Sequence, residues 1–211
     1  MSEATIGFAP QLEPEERVRA DLYALFARLY FSSPDAQLLR MIGTAPLLAE
    51  EADSGRLPIA WARLCAASRV MDAEAAQDEY EALFGGVGKP EISLYVSYYA
   101  SAHAPGSAGQ FLVDLRSVLA EFGFGLRPGM NLPEDHLAAL FETMRMLVAG
   151  NDKVPPRLLA EQHAFFDRFL APWYAECCIA IAGAPIANFY KTVAECTGAF
   201  LAVEDESFAI A

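Results

Sequence analysis

Asp135 and His136, adjacent in the chain, are the polar pair most able to do chemistry, and with Ser93 they supply the residue types of a hydrolytic triad. Spacing argues against one. Successive helical residues point about 100° apart, so Asp135 is poorly placed to orient the His136 ring. No serine stands in a G-x-S-x-G elbow. His103, His136 and His163 lie far apart, with no Glu-x-x-His and no second histidine at i+4, so no metal site is expected. Gly85-Gly86-Val87-Gly88-Lys89 resembles a phosphate loop only superficially. Leu83 occupies the place of the first glycine, and Pro90 stands where a hydroxyl must follow the lysine. Gly123, Gly125 and Gly129 miss the dinucleotide spacing. Neither an enzyme nor a resident cofactor is expected.

Binding chemistry fits better. Tyr80, Phe84, Tyr95, Tyr98 and Tyr99 cluster at one predicted helix end and the segment after it. Aromatic rings with polar tips suit a surface that grips an apolar peptide and still faces water. Tyr98 and Tyr99 fit inter-helix contacts better, while Tyr80, Phe84 and Tyr95 fit either a core or a surface. Acids such as Asp135 and Glu142 would hold a guanidinium by charge-assisted hydrogen bonds.

These residues must be positioned by helices. The clearest runs from Leu132 to Leu147, with Asn131 as its cap, Glu134 reaching back in a capping box, and Gly150 closing it. Leu137, Leu140, Phe141, Met144, Leu147 and Val148 recur at helical spacing. Asp135 and His136 fall in or just after its first turn, where polar groups stay unburied. Further helices are read from Pro14 (Val18, Leu22, Leu25, Phe26, Leu29, Tyr30), from Ser33 as cap with Pro34 next, around Trp61, Leu64, Cys65 and Ser68, and from Asp72 as cap. Others follow over Phe111–Phe122, from Pro155-Pro156 with Leu158 and Leu159 inward, after Pro172, and from Ile186 to Leu201. Ile92 to Tyr98 alternates like a strand, but no second strand exists to satisfy its backbone, so an ordered loop with a helical turn is expected.

The result is an all-α bundle of about nine helices without significant sheet. Residues 1–12 read as a flexible tail, 13–203 as one helical domain with a possible hinge at 123–131, and 204–211 as an acidic solvated tail.

The chain has 211 residues, 54% of them apolar, which is ample for one sizeable core. Its 28 acids against 15 Lys plus Arg give a net charge of −13. That argues against nucleic acid and leaves room for a basic partner. Cys65, Cys177, Cys178 and Cys196 form no C-x-x-C pair and read as reduced, buried thiols. Met1 to Ile6 lacks a basic, then apolar, leader pattern, and no run approaches the roughly 18 apolar residues of a membrane span. A cytoplasmic protein is expected.

Three blocks then resemble the signatures of one family: Glu79-Tyr80-Glu81-Ala82-Leu83-Phe84-Gly85-Gly86, Lys89-Pro90-Glu91-Ile92-Ser93-Leu94-Tyr95, and Pro133-Glu134-Asp135-His136-Leu137. With the opening Arg19–Tyr23 and Leu29–Pro34 segments, they are similar to the TorD/DmsD/NarJ chaperones of molybdenum redox enzymes. The resemblance spans about residues 17–150. It departs at Gly85-Gly86-Val87-Gly88, where glycine-proline is common, and at Tyr80, where tryptophan is common. It implies a cytoplasmic chaperone, monomeric or homodimeric, that binds the twin-arginine leader of a molybdopterin-containing subunit and delays export until the cofactor is inserted. Carried over by position, the implied leader-binding residues are Tyr80, Leu83, Phe84, Pro90, Ser93, Tyr95, Asp135 and His136. The competing readings are a structural subunit permanently bound to a redox partner and, more remotely, a helical enzyme using His136.

Overall fold

The computed structural model describes residues 12–48, 55–85, 90–103, 107–125, 132–151 and 154–210. Ten helices are described: α1 (Pro14–Phe31), α2 (Ala36–Thr44), α3 (Arg56–Val70), α4 (Ala73–Phe84), α5 (Val96–His103), α6 (Ser107–Glu121), α7 (Leu137–Ala149), α8 (Leu159–Phe169), α9 (Tyr174–Gly183) and α10 (Phe189–Ile210). No strand occurs among the described residues, and the only sheet-like pairing there is a single bridge between Tyr95 and His136. The fold is all-α, as its periodicities require.

α1 starts at a proline, with Glu15 and Glu16 in its first turn and Arg28 in its last, the polarity the helix dipole favours. Its stripe of Tyr23, Phe26, Leu29 and Tyr30 is fully buried. α1 lies along α7, where Phe141 receives the rings of Tyr23, Phe26 and Tyr30 at 6.0–6.2 Å. α10 closes the other side, setting Phe200 against Tyr23 (4.8 Å) and Phe26 (5.8 Å). α3 and α9 pack on α10, α2 on α3, α5 on α6 and α8 on α7. Each buried aromatic ring here contributes roughly 1.5–3 kcal/mol against its exposed state.

Several boundaries differ from the sequence expectation, each because a distant group intervenes. α7 begins at Leu137 rather than near Leu132. The chain before it instead exchanges hydrogen bonds with the 94–96 segment: the Val96 N–H donates to the Asp135 carbonyl (3.0 Å) and the Leu137 N–H to the Leu94 carbonyl (2.8 Å). Thus the partner missing for the Ile92–Tyr98 alternation is a turn rather than a strand, and α5 starts directly after it. Asn131, the expected cap, lies outside the described residues, and His136 caps α7 through its own ring. Gly150 ends α7 at φ 68°, where a Cβ would meet the Pro156 nitrogen and the Val154 carbonyl at 2.7 Å.

α2 is capped by Asp35, whose carboxylate accepts the Leu38 N–H at 2.8 Å, and not by Ser33. Leu158 and Leu159 are exposed at the start of α8. The last helix runs on to Ile210, and Glu204 is buried in a bond network instead of lying in a solvated tail. Residues 1–11 of the expected flexible tail (1–12) and 126–131 of the expected hinge (123–131) lie outside the described residues.

A remote carboxylate caps α10. Glu79 of α4 accepts the N–H groups of Asn188 (2.8 Å), Phe189 (3.0 Å) and Tyr190 (2.8 Å), neutralising three donors that no helix can satisfy by itself. This ties α4 to the C-terminal helix and fixes the neighbouring Tyr80.

Candidate functional site

The three signature blocks meet in space: the Ile92 N–H donates to the Leu83 carbonyl, joining the first block to the second, and Tyr95 pairs with His136, joining the second to the third. Tyr95 and His136 form the bridge pair, with their rings edge-on at 5.2 Å and 84°. Tyr95 is 38% exposed. Tyr80, on α4, is half-buried, and its phenol is raised above its ordinary pKa by burial and then by the neighbouring Tyr95 phenol. Its hydroxyl donates to the carbonyls of Tyr30 (3.1 Å) and Phe31 (3.0 Å), acceptors left over at the end of α1. Phe84 packs edge-on to Tyr80 (5.2 Å) and Tyr190 (5.1 Å). Tyr80 and Phe84 therefore knit α1, α4 and α10 while keeping part of their surface at the protein's exterior.

The remaining predicted residues take supporting positions. Leu83 is fully buried, and its carbonyl accepts the Ile92 N–H at 3.0 Å. Pro90 is half-buried. The Ser93 hydroxyl accepts the Tyr95 N–H (3.2 Å), and its carbonyl accepts the Tyr99 hydroxyl (2.9 Å), so Ser93 shapes the entry to α5. Tyr99 is buried and stacks on Trp173 at 5.5 Å, whereas Tyr98 is exposed.

Asp135 and His136 were expected unburied at a helix mouth and are instead only 4% and 6% exposed. The backbone bonds that join Leu94 to Leu137 and Val96 to Asp135 roof them over. His136 Nδ1 accepts the Ala138 N–H at 3.2 Å, which assigns the neutral ring's proton to Nε2. Burial holds the imidazole down at about 4, against the opposing pull of the Asp135 charge. Protonation at Nδ1 would also abolish the cap. The unfolded chain, with an ordinary histidine near 6.5, therefore binds a proton that the folded chain refuses. Stability contributed at this site is complete above about pH 6.5 and is lost as pH falls towards 4, by about 2–3 kcal/mol. His136→Asn keeps a capping acceptor and removes the titration. Urea unfolding at pH 7 and pH 4.5 should show a smaller acid loss for this variant than for the parent protein; equal losses would clear His136 of the effect.

Beside these residues lies a groove of about 430 Å³ that sequence reasoning missed. Ala24, Ala27, Arg28 and Phe31 of α1 form one wall; Ala138, Ala139, Glu142, Thr143 and Met146 of α7 form the other. Arg116 and Leu119 of α6, with Phe124, Leu132 and Glu134, complete it. It adjoins the predicted cluster twice: Phe31 holds the Tyr80 hydroxyl, and Glu134 immediately precedes Asp135 and His136. The groove exists because both facing helices carry alanines where larger side chains would fill the gap. Alanines at i, i+3 on α1 were the one available signal, and they mark a groove only once α7 is known to lie opposite.

The groove's charges are paired. Arg145 grips Glu142 through two guanidinium nitrogens at 2.8 and 2.7 Å, and Arg116 meets Glu134 at 3.2 and 3.4 Å. Arg28 contacts the Ser32 hydroxyl and lies 3.9 Å from Asp35. No group of three or more metal-ligating side chains occurs among the described residues. His163 instead lies flat on Phe208 at 5.1 Å. All four cysteines are buried and free, and burial pushes Cys177 up to about 11 and Cys196 to about 12, away from thiolate chemistry. No described helix is long and apolar enough to cross a membrane.

A family model described as nitrate reductase delta subunit matches residues 50–179. That range reaches from just before α3 through most of α9; α1, α2 and α10 lie outside it. No curated protein matches the chain.

Proposed function

We propose, from the premise that this chain belongs to the nitrate reductase delta subunit family within the TorD/DmsD/NarJ maturation chaperones, that it acts in the cytoplasm on the apo form of a molybdoenzyme catalytic subunit. It binds the client's twin-arginine leader and delays export until the cofactor is inserted and the client has folded. The observation that carries this reading is the α1–α7 groove. An apolar floor with carboxylates on its walls reaches Tyr80 through Phe31, whose carbonyl takes the Tyr80 hydroxyl, and ends at Glu134, two residues before His136, the ring partner of Tyr95.

The physics of capture follows. A leader is a disordered segment with a short apolar run, so it must be ordered on binding. Burying that run contributes about 25 cal/mol per Å², from which ordering costs are subtracted. Tyr80, Phe84, Pro90, Ser93, Tyr95, Asp135 and His136 shape the adjoining rim, with Leu83 as packing beneath it. The net charge of −13 steers a cationic segment inward.

Titration calorimetry with a synthetic leader peptide tests this directly. One peptide should bind per chain, and replacing both arginines with lysine should weaken it, because lysine lacks the planar fork. Raising salt should slow association more than it speeds dissociation. Absence of binding, or equal affinity for the two peptides, would overturn the leader-binding reading.

A further inference from the structure

We infer that Glu134 is the groove carboxylate that receives a client guanidinium, and that Arg116 occupies it in the free protein as an intramolecular stand-in. This rests on the client-binding reading above and extends it to one atom group and its competitor.

Two carboxylates line the groove, and their present partners distinguish them. Glu142 is clamped by Arg145, three residues along the same helix, through two short bonds of 2.7 and 2.8 Å. Opening that pair would forfeit a tight fork whose partner is already held in place. Glu134 is met across the groove from α6, by an arginine eighteen residues earlier, at 3.2 and 3.4 Å. The Arg116 side chain is 59% exposed and Glu134 only 16%. The anion is thus seated in the protein, while the cation above it leans in from solvent. Exposed pairs with this geometry contribute little net free energy, so the cation is replaceable and the anion stays.

Glu134 is also prepared for such an exchange. Its carboxyl is held below the usual carboxylate range, chiefly by the Arg116 hydrogen bonds, and a replacing guanidinium would restore the same contact. A client arginine brings what Arg116 lacks: a following apolar segment to lie on Ala138, Leu119 and Met146. An occupied carboxylate also discriminates. Only a segment with both a guanidinium and an apolar run gains enough to displace Arg116, and stray cations do not.

The test uses the full chain and two labelled leader peptides, one with paired arginines and one with both changed to glutamine, read by fluorescence anisotropy. Arg116→Gln should tighten the arginine peptide about two- to fivefold and leave the glutamine peptide unmoved. Glu134→Gln should weaken the arginine peptide about tenfold or more, and adding Arg116→Gln to it should then change nothing. Arg116 faces solvent and Glu134→Gln keeps the side chain's shape, so both variants should fold, which circular dichroism checks. If the parent chain binds the peptide and Arg116→Gln leaves its affinity unchanged or lower, the stand-in role is overturned while leader binding survives. If the parent chain binds neither peptide, the leader-binding reading falls and this inference with it.

Discussion

Glu204→Ala is expected to destabilise the protein by about 3–4 kcal/mol. The Glu204 side chain is only 3% exposed and serves three donors. Arg19 Nε reaches one oxygen at 2.7 Å, while the other takes the second Arg19 nitrogen at 2.8 Å and the Tyr23 hydroxyl at 2.9 Å. Arg19 also lies over the Phe208 ring at 5.4 Å. Removing the carboxylate strands a largely covered guanidinium and a fully buried phenol, and both then lack the partner that offset their desolvation. For a chain of this length the melting temperature should fall by roughly 10 °C. Glu204→Gln should land between parent and alanine, since an amide oxygen still accepts from Tyr23 but leaves the charge uncompensated. The joint change Arg19→Leu, Tyr23→Phe, Glu204→Leu should recover most of the loss, because an apolar set needs no partners. Urea unfolding followed by circular dichroism decides it; a cost below about 1 kcal/mol for Glu204→Ala would mean that water reaches Arg19 and Tyr23 freely.

Ala139→Trp is expected to abolish leader capture while leaving the fold intact. Ala139 lies on the α7 wall of the groove, half-buried and outside the core packing, so an indole there projects into the space that a client's apolar run would occupy. The loss should be at least about thirtyfold in affinity, as expected when a central desolvated contact is denied to the ligand. The melting temperature should move by no more than a few degrees, since tryptophan is tolerated on a helix surface. Ala24→Leu on the opposite wall gives a milder block from an independent helix and guards against local misfolding on α7. Undiminished peptide binding in both variants, with native circular dichroism, would move the client site elsewhere. A parallel test at Tyr80 and Phe84 is less clean, because their rings also join α1, α4 and α10.

The helices themselves were largely legible, because burial imposes a period that local sequence must obey. Trp61, Leu64, Cys65 and Ser68, whose spacing suggests a helix, are all buried on α3. Asp72 has the residue type and place of a cap, and its carboxylate accepts the Glu74 and Ala75 N–H groups. The α7 stripe Leu137, Leu140, Phe141, Met144, Leu147 and Val148 is buried throughout. The signature blocks also carried the family, which the match over residues 50–179 bears out. Less legible was everything that depends on a partner distant in sequence. Glu204 resembles tail acid until Arg19 and Tyr23 stand beside it, 185 and 181 residues earlier. Glu79 resembles a surface helix acid until the start of α10 arrives at its carboxylate.

Local sequence by itself determined that this chain is helical, acidic, rich in buried apolar stripes and a member of its family, because caps, periods and motifs act over a few residues. Tertiary structure alone decided the site: that residues 94–96 cross the 134–137 turn and bury Asp135 and His136, and that alanines on α1 and α7 face each other across an open groove. The reason is physical. A side chain's burial and charge partners are set by whichever segment packs opposite, and that choice follows from the free energy of the whole core, which no local window contains.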